Sequence, residues 1–335
     1  MTIFGVVASG TGGVWRVLTD DGREIVAALR GRLKKSNSGR RADGSLRRNT
    51  VAARQATLKL AVGDRVRIEE DARAAGAWAI QEILPRSTSL RRREPGGGPG
   101  DRVVAANIDQ AIVVFAAANP EPHPRMLDRF LVIGESNGLA IRVIINKVEL
   151  VGESTVRERF ADYERAGYPV HYTSVKLRLG LEDVREALAS RVSALSGPSG
   201  VGKSSILNAL FPGLGLRVNE ISESVNKGRH TTVGAYLHPL PAPGRGAVVD
   251  TPGLREIGLW GLPLTELDSC FPEFRGPRAS CRFANCAHVA EPGCAVLAAV
   301  ADGSVSAARH DSYLKLRDEL PEEQTKRPGK ASKRR

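Results

Sequence analysis

The sequence predicts a multidomain chain with an N-terminal β-barrel, a central α/β domain and a mainly helical C-terminal domain. Three observations predict this order. Short strand-like runs occupy 1–84, apolar runs alternate with helical spacing over 85–261, and a Cys/His segment followed by helices occupies 262–325. A basic tail, 326–335, follows. The 335 residues, of which 41% are hydrophobic, are enough to bury several cores.

The N-terminal segment contains four runs rich in β-forming residues, separated by Asp-Gly and Val-Gly-Asp turns. These runs cover 14–18, 24–29, 64–68 and 77–84. Short strands joined in this way favour a small closed barrel of the OB type. Such barrels often bind RNA, but the fold alone assigns no function.

The positive charge is concentrated in two segments. The chain carries a net charge of +12; residues 30–54, expected as a long loop of the barrel, hold nine Lys/Arg against one acid, and 326–335 hold six and no acid. Both segments are poor in apolar residues, so we expect neither to fold alone. Their charge favours contact with the phosphate backbone of nucleic acid. A solvated loop and a solubilising tail are the alternative interpretation.

The composition also excludes several classes of protein. No apolar run reaches the roughly 18 residues that a membrane helix needs, so no membrane partner is expected. The first residues lack a basic leader followed by a long apolar stretch, which predicts a cytoplasmic protein.

Three of the four cysteines lie close together beside a histidine, which favours a reducing compartment and a metal. No heptad repeat indicates a dimer, so we expect a monomer.

The segment 91–100 is rich in Gly and Pro and is therefore interpreted as a linker. After it, predicted strands and helices alternate as in an α/β domain. Apolar runs of the length expected for buried strands cover 110–118, 140–145, 191–196 and 246–250, and helical spacing covers 126–135 and 156–166.

A phosphate-binding loop follows the strand at 191–196. Residues 197–204 match G-x-x-x-x-G-K-[ST] in full, and 205–210 begin a helix. Glycines let backbone N–H groups surround phosphate oxygens, the lysine contributes a charge for the β- and γ-phosphates, and the serine hydroxyl ligates Mg²⁺. The predicted nucleotide-binding residues here are Gly197, Pro198, Ser199, Gly200, Val201, Gly202, Lys203, Ser204 and Ser205.

Two further patterns complete a triphosphate site. Asp250 and Gly253 form a D-x-x-G pattern at the end of a strand, where the acid can hold Mg²⁺ through water and the glycine N–H can contact the γ-phosphate. Between this pattern and the phosphate loop lies a polar stretch with two threonines. Thr231, or alternatively Thr232, is predicted to bind Mg²⁺ in the triphosphate state.

A candidate guanine-reading motif precedes the phosphate loop. Asn146, Lys147 and Glu149 resemble the N-K-x-D motif of GTPases, with Glu in place of Asp. The carboxylate accepts from the guanine N–H groups, and its extra methylene predicts looser selectivity. The loop Ser174, Val175 and Lys176 resembles the S-A-K loop whose backbone N–H contacts the guanine oxygen.

The order of these motifs is that of a circularly permuted GTPase, because the guanine reader precedes the phosphate loop. The sequence resembles the ribosome small-subunit-dependent GTPase A family over about residues 60–315. This resemblance implies an OB domain, a permuted GTPase domain and a zinc domain, with GTP hydrolysis in late assembly of the small ribosomal subunit, stimulated by that subunit and its rRNA. The sequence departs from the pattern of this family at Glu149, where Asp is usual, and in the basic loop at 30–54. The matching stretches are 106–110, 127–130, 228–232, 250–256 and 291–296.

The C-terminal segment contains a predicted structural zinc site. Cys281, Cys286, His288 and Cys294 supply three thiolates and one imidazole, a full tetrahedral set with no position left for a catalytic water. Cys270 is interpreted as a small buried side chain outside this set. Phe283, with Arg278 and Arg282, is expected to present an RNA-facing surface.

The residue that orients the attacking water is the least defined part of the site. Leu254 occupies the position after D-x-x-G where many GTPases place a glutamine, so slow intrinsic turnover is expected. His230 is the nearest polar candidate. We hypothesise that rRNA orders its loop; a purely packing role is the alternative.

The resulting functional prediction is a GTPase that binds the small ribosomal subunit and converts GTP to GDP and phosphate. The alternative is an RNA-binding assembly chaperone with a weak or non-guanine-specific nucleotide pocket, which Glu149 keeps open. A small-molecule kinase fits poorly, because no lid or acceptor site is recognisable.

Overall fold

A computed structural model describes residues 2–11, 13–29, 60–71, 76–93, 101–216, 235–241, 246–250 and 262–320. The chain divides into two compact units, Met1–Gly258 and Leu259–Arg335. The basic loop at 30–54, the tail at 326–335, His230, Thr231, Thr232 and Gly253 lie outside the described residues. Within the described ranges, no helix is both long and apolar enough to cross a bilayer.

The first unit begins with a closed five-stranded barrel, as predicted. Its strands are β1 (Thr2–Thr11), β2 (Val14–Thr19), β3 (Glu24–Leu29), β4 (Arg65–Glu70) and β5 (Trp78–Ile83). They run in the order β1-β2-β3-β5-β4, and antiparallel pairing of β1 with β4 and parallel pairing of β3 with β5 close the barrel. Alternate side chains of each strand face inward because the strand period is two, and Val7, Val17, Ile68 and Ile80 are fully buried there.

A two-stranded hairpin follows the barrel and corrects the linker prediction. Strand β6 (Ser89–Arg93) pairs antiparallel with β7 (Asp101–Ala106), so the start of the segment interpreted as a linker is strand. Leu90 and Ala105 are fully buried, and they anchor the hairpin although Gly and Pro dominate the stretch between its strands. The hairpin also adjoins the barrel closely, since a Cβ on Gly63 would lie 2.0 Å from the Ala106 carbonyl oxygen.

The centre of the first unit is a six-stranded sheet, which confirms the α/β prediction. Its strands are β8 (Gln110–Ala116), β9 (Ala140–Asn146), β10 (Val170–Tyr172), β11 (Val192–Ser196), β12 (Tyr236–Pro239) and β13 (Ala247–Asp250). Their order is β10-β9-β8-β11-β13-β12, with β12 antiparallel to its neighbour and the other pairs parallel. Every residue of β8 is buried, as expected for the middle of a sheet covered on both faces.

Helices connect the strands of this sheet and share its apolar core. Those in the described part of the first unit are α1 (Pro124–Ser136), α2 (Glu153–Arg165), α3 (Leu181–Leu188) and α4 (Lys203–Leu210). Val184 of α3 and Ile206 of α4 pack in one core with Ile112 and Leu195 of the sheet. Helix α1 approaches β9 so closely that a Cβ on Gly134 would lie 2.6 Å from the Ile141 side chain.

The second unit packs helices around aromatic rings. Its helices are α5 (Pro272–Arg278), α6 (Ala295–Ala301) and α7 (Ala307–Glu319). Phe271, Phe274 and Tyr313 are buried with ring centroids 5.1–5.4 Å apart. A buried ion pair joins Arg309 Nε to Glu273 Oε1 at 2.7 Å, and the guanidinium also lies 4.8 Å from the Phe271 ring centroid.

Candidate functional site

The motifs of the predicted nucleotide site follow neighbouring parallel strands. Asn146 ends β9, Thr173 follows β10, Gly197 follows β11, and Asp250 ends β13. These strands are parallel, so their carboxyl ends meet at one edge of the sheet, where ligands bind in α/β proteins. The fold therefore brings together motifs that are out of the usual order along the chain.

The phosphate loop requires glycine at three positions. Gly197, Gly200 and Gly202 have φ values of +139°, +77° and +97°, which side chains other than glycine rarely allow. A Cβ on Gly197 would also lie 2.0 Å from the Val114 carbonyl oxygen. The loop thus brings its backbone close to β8 before α4 begins.

Lys203 and Ser204 form the first turn of α4, and both are about nine-tenths or more buried. Lys203 Nζ donates to the carbonyl oxygens of Gly197 at 3.0 Å and Pro198 at 2.8 Å, so the ammonium lies across the loop. A helix N-terminus, a lysine and a serine hydroxyl together favour a bound anion and its cation.

Asn146 connects the phosphate loop with the loop after β10. Its Nδ2 donates to the Val201 carbonyl oxygen at 2.9 Å, and its Oδ1 accepts from Thr173 Oγ1 at 3.1 Å. The side chain is 2% exposed, so these bonds fix its position. The sequence pattern carries no signal that marks the Thr173 hydroxyl as the partner of this side chain.

Lys147 extends over the phosphate loop from a left-handed backbone conformation with φ of 63°. Its Nζ donates to the Gly200 carbonyl oxygen at 2.7 Å and to that of Asn119, a loop residue beyond β8. The lysine therefore joins two loops of the site. Asn119 belongs to no recognised motif, so the sequence offered no signal for this contact.

Glu149 carries an unsatisfied acceptor. It lies in the short turn Val148–Leu150, and its Oε2 is buried without a hydrogen-bond partner among the described residues. A buried polar atom without a partner is costly, so this carboxylate suits a ligand that donates hydrogen bonds. Guanine offers such donors in its N1–H and amino group.

The loop after β10 is held in shape by its own backbone. Ser174 exchanges backbone hydrogen bonds with Leu179 at 3.0 and 3.1 Å, and its Oγ accepts from the Leu177 N–H at 3.0 Å. The N–H groups of Val175 and Lys176 have no acceptor among the described residues. They are available to a ligand oxygen, as the predicted base-binding role requires.

Asp250 ends β13 with a buried carboxylate. Its Oδ1 is buried and has no partner in the described part of the chain. Burial raises the pKa of this group to about 7, and the charge of Lys203 opposes the shift. A cation that approaches the carboxylate would reverse the effect of burial, so the donor set fits Mg²⁺. Thr231 and Gly253, the other predicted parts of this region, lie outside the described residues.

The second unit contains the predicted Cys₃His cluster. The ligand atoms of Cys281, Cys286, His288 and Cys294 all lie within 4.8 Å of one another. Cys281 Sγ is 3.9 Å from Cys294 Sγ and 3.7 Å from His288 Nδ1, and the latter is 3.3 Å from Cys294 Sγ. A tetrahedral zinc with bonds of about 2.0–2.3 Å separates its ligands by roughly 3.5–3.8 Å, so the three distances among Cys281, His288 and Cys294 are close to those of a zinc site.

The thiols of this cluster need a cation to ionise together. Burial and, after it, the neighbouring Cys294 raise the pKa of Cys286 to about 12. For Cys281, burial opposes ionisation, but hydrogen bonds from the backbone N–H groups of Val296 and Ala295 and from the neighbouring thiols together lower the pKa. Cys294 caps α6, where its Sγ accepts from the Leu297 N–H at 3.4 Å. Cys270 is buried but lies outside the cluster, as predicted.

A carboxylate behind His288 was not predicted. Asp268 Oδ2 lies 3.3 Å from His288 Nε2, on the side of the ring opposite the nitrogen that faces the thiols. Arg278 Nε lies 2.8 Å from the same oxygen. The guanidinium of Arg278 thus pairs with Asp268, and the expectation that Arg278 faces RNA stays a prediction. Asp268 is twenty residues upstream of His288, so no local spacing reveals their contact.

Glu291 stabilises the loop between the metal-ligating residues. Its carboxylate accepts from the N–H groups of Ala287 and Val289, each at 2.8 Å, and of Ala290 at 3.1 Å. Burial opposes ionisation, but these donors outweigh it and lower the pKa of Glu291 to about 2. The loop is therefore shaped by the protein before any metal binds.

The family model described as RsgA GTPase matches residues 83–260. The small ribosomal subunit biogenesis GTPase RsgA of Gemmatimonas aurantiaca is 57% identical over 316 residues, which cover 94% of this chain and 97% of that protein. The protein of the same name from Bacteroides fragilis is 34% identical over 321 residues, or 95% of this chain and 97% of its own length.

Two solved structures are also similar. The crystal structure of YjeQ from Thermotoga maritima has a TM-score of 0.74 and 32% identity, covering 96% of this chain and 99% of its own. The crystal structure of YloQ, a circularly permuted GTPase, has a TM-score of 0.68 and 26% identity, covering 96% and 97%. Since the family model spans more than half of the chain and the relatives nearly all of it, the chain belongs to the RsgA GTPase family.

Proposed function

We propose that this chain binds GTP with Mg²⁺ and hydrolyses it to GDP and phosphate during biogenesis of the small ribosomal subunit. The observation that carries the proposal is the meeting of the guanine-reading motif, the phosphate loop and Asp250 at one edge of the central sheet. The family and the names of the curated relatives support the biological role.

In this proposal the guanine base is held by Glu149 and by the loop after β10. The unpartnered Glu149 Oε2 accepts from the base, and the free N–H groups of Val175 and Lys176 donate to its oxygen. Asn146 orients both loops around the base, and the Lys147 stem covers it. The base therefore meets a site whose polar groups are already in position.

The phosphates lie at the N-terminus of α4. The backbone N–H groups of the glycine-rich loop surround the oxygens, and Lys203 exchanges its carbonyl contacts for the β- and γ-phosphates. When bound, Mg²⁺ would supply positive charge that stabilises the transferred phosphoryl group. Ser204, Asp250 and Thr231 would hold it, and Gly253 would contact the γ-phosphate. His230 is proposed to orient the attacking water.

We further propose that the Cys₃His cluster holds one structural Zn²⁺. Three thiolates and an imidazole whose ligand atoms lie within 4.8 Å of one another suit zinc, and with all four bound no ligand position would remain open for catalysis. The same proposal includes the predicted domain boundaries at 84/85 and 261/262, a monomer in the cytoplasm, and contact between rRNA and the basic segments.

The decisive experiment measures GTP hydrolysis with and without purified small ribosomal subunits, at saturating nucleotide. We expect a slow intrinsic rate that rises strongly when subunits are added. His230→Ala is expected to lower the stimulated rate far more than the affinity for nucleotide. Equal stimulated rates in mutant and wild type would remove His230 from the mechanism.

A competition assay distinguishes the proposal from the alternative of a chaperone with a non-specific pocket. Fluorescent GDP bound to the protein is displaced by unlabelled GTP or ATP. A clear preference for GTP supports the guanine site. Equal displacement by both nucleotides, together with no stimulation by subunits, would favour the RNA-binding chaperone.

A further inference from the structure

A group of basic side chains lies at the end of the central sheet opposite the nucleotide motifs. Gln110 is the first residue of β8, Arg142 lies early in β9, and Arg191 immediately precedes β11. Together with His171 of β10 they form what we call the amino-edge cluster. None of these residues belongs to the proposed GTP or metal sites.

Gln110 holds the centre of the amino-edge cluster in one orientation. It is fully buried, and its Nε2 donates to the Ala187 carbonyl oxygen at 2.6 Å and to Ser193 Oγ at 2.9 Å. Because both amide hydrogens are used, its Oε1 is the acceptor that remains. Arg142 Nε and Arg191 Nη1 both donate to this one oxygen, at 3.1 and 3.4 Å.

The two guanidinium groups lack a compensating carboxylate. Among the described residues, no acid oxygen lies within 4.0 Å of either group, whereas Arg157, Arg165 and Arg309 are each paired with an acid. Burial and the repulsion of Arg191 lower the pKa of Arg142. Two like charges converging on a neutral amide are unfavourable, and a bound anion would offset this cost.

Most of the donors in the cluster have no acceptor among the residues that the structure describes. Two guanidinium groups carry ten N–H donors, of which two contact Gln110 and one contacts His171 Nε2 at 3.4 Å. Asp109 accepts from the Val192 N–H at 2.7 Å, and Asp183 affects His171 through its charge. Arg191 is exposed and Arg142 is half-buried, so an anion can approach from solvent.

We propose that the amino-edge cluster is a second phosphate-binding site, separate from the phosphate loop. Guanidinium forks match the oxygens of a phosphate in charge and geometry, and Gln110 holds two of them at a shared point. The phosphate is either a free ion or part of an RNA backbone. The RNA source rests on the proposed ribosomal function, whereas the free ion does not.

The test compares the wild type with the double variant R142Q/R191Q and with R165Q as a matched control. Arg165 loses the same type of charge but is already paired with Asp162 on α2. All proteins are saturated with GDP and Mg²⁺, so that the phosphate loop is occupied. Unchanged GDP affinity in the double variant verifies that the fold is intact.

The first arm measures the melting temperature in inorganic phosphate against chloride of equal ionic strength. We expect wild type and R165Q to gain about 2 °C or more from phosphate beyond the gain of the double variant. The second arm measures binding of a single-stranded RNA oligomer as a function of salt. If one backbone phosphate occupies the cluster, the double variant lowers the salt slope by about 0.7 and R165Q leaves it unchanged.

If the double variant differs from R165Q only in the melting-temperature gain from phosphate, the site binds free phosphate. If the two variants differ in the salt slope of RNA binding, the site binds RNA. If the double variant behaves like R165Q in both arms, the proposal is wrong. Neither result depends on GTP hydrolysis, so failure of the cluster and failure of the proposed GTPase function are distinguishable.

Discussion

Removal of the Asp268 carboxylate should weaken metal binding at the Cys₃His cluster. Asp268 Oδ2 lies 3.3 Å from His288 Nε2, and the imidazole is fully buried. In Asp268→Ala the ring N–H loses its acceptor, and an unsatisfied buried donor costs about 1–3 kcal/mol. Since about 1.4 kcal/mol corresponds to a factor of ten, zinc affinity should fall by about 5- to 150-fold. This range agrees with the roughly 10- to 100-fold typical of residues that orient metal ligands.

The assay is competition for Zn²⁺ with a chromophoric chelator on the full chain. Asp268→Asn serves as the conservative variant, because its amide oxygen can still accept from the ring and should restore most of the affinity. Arg278→Gln is the second control, since it removes the other partner of Asp268 but leaves the contact with His288. Equal zinc affinity in Asp268→Ala and wild type would refute the idea that Asp268 positions the imidazole.

Three further predictions concern the nucleotide site. Glu149→Gln should lose most of the preference for GDP over ADP while Glu149→Asp retains it, because the unpartnered carboxylate supplies the acceptors for the base. Fluorescent-nucleotide titration measures the affinities of both variants. An unchanged preference in Glu149→Gln would contradict the role of Glu149 in guanine binding. The raised pKa of Asp250, about 7 against 3.8, means that the nucleotide- and Mg²⁺-free protein loses stability as pH rises from about 4 to 7. In urea unfolding, Asp250→Asn should therefore be more stable than wild type at pH 8 and equally stable near pH 4. If the free energies of unfolding of the two proteins depended on pH in the same way, the raised pKa of Asp250 would be disproved. Gly197→Ala should abolish nucleotide binding, because its Cβ would lie 2.0 Å from the Val114 oxygen; retained affinity in titration would show that the loop can relax.

Much of the fold and site could be predicted from the sequence because the signals are local. The phosphate loop needs glycine at φ values that few other residues adopt, so its spacing alone identifies it. Apolar runs revealed β8 and β9, and the spacing of Cys281 to Cys294 indicated a metal site before any distance was known. The motif order likewise indicated a permuted domain. Thr231, Gly253 and His230 stay predictions.

Other features depend on residues that are distant in sequence, and only the tertiary structure revealed them. The contact of Asp268 with His288 and the shared hydrogen bonding of Arg142 and Arg191 at Gln110 join separate segments without any periodicity. The hairpin of β6 and β7 could not be predicted from composition, because the Gly and Pro between its strands indicate a linker. The burial of Leu90, which anchors the hairpin, is visible only in the structure. The motifs could be recognised because local backbone chemistry restricts their residues. Long-range packing decided which distant side chains form hydrogen bonds with one another or meet at one ligand.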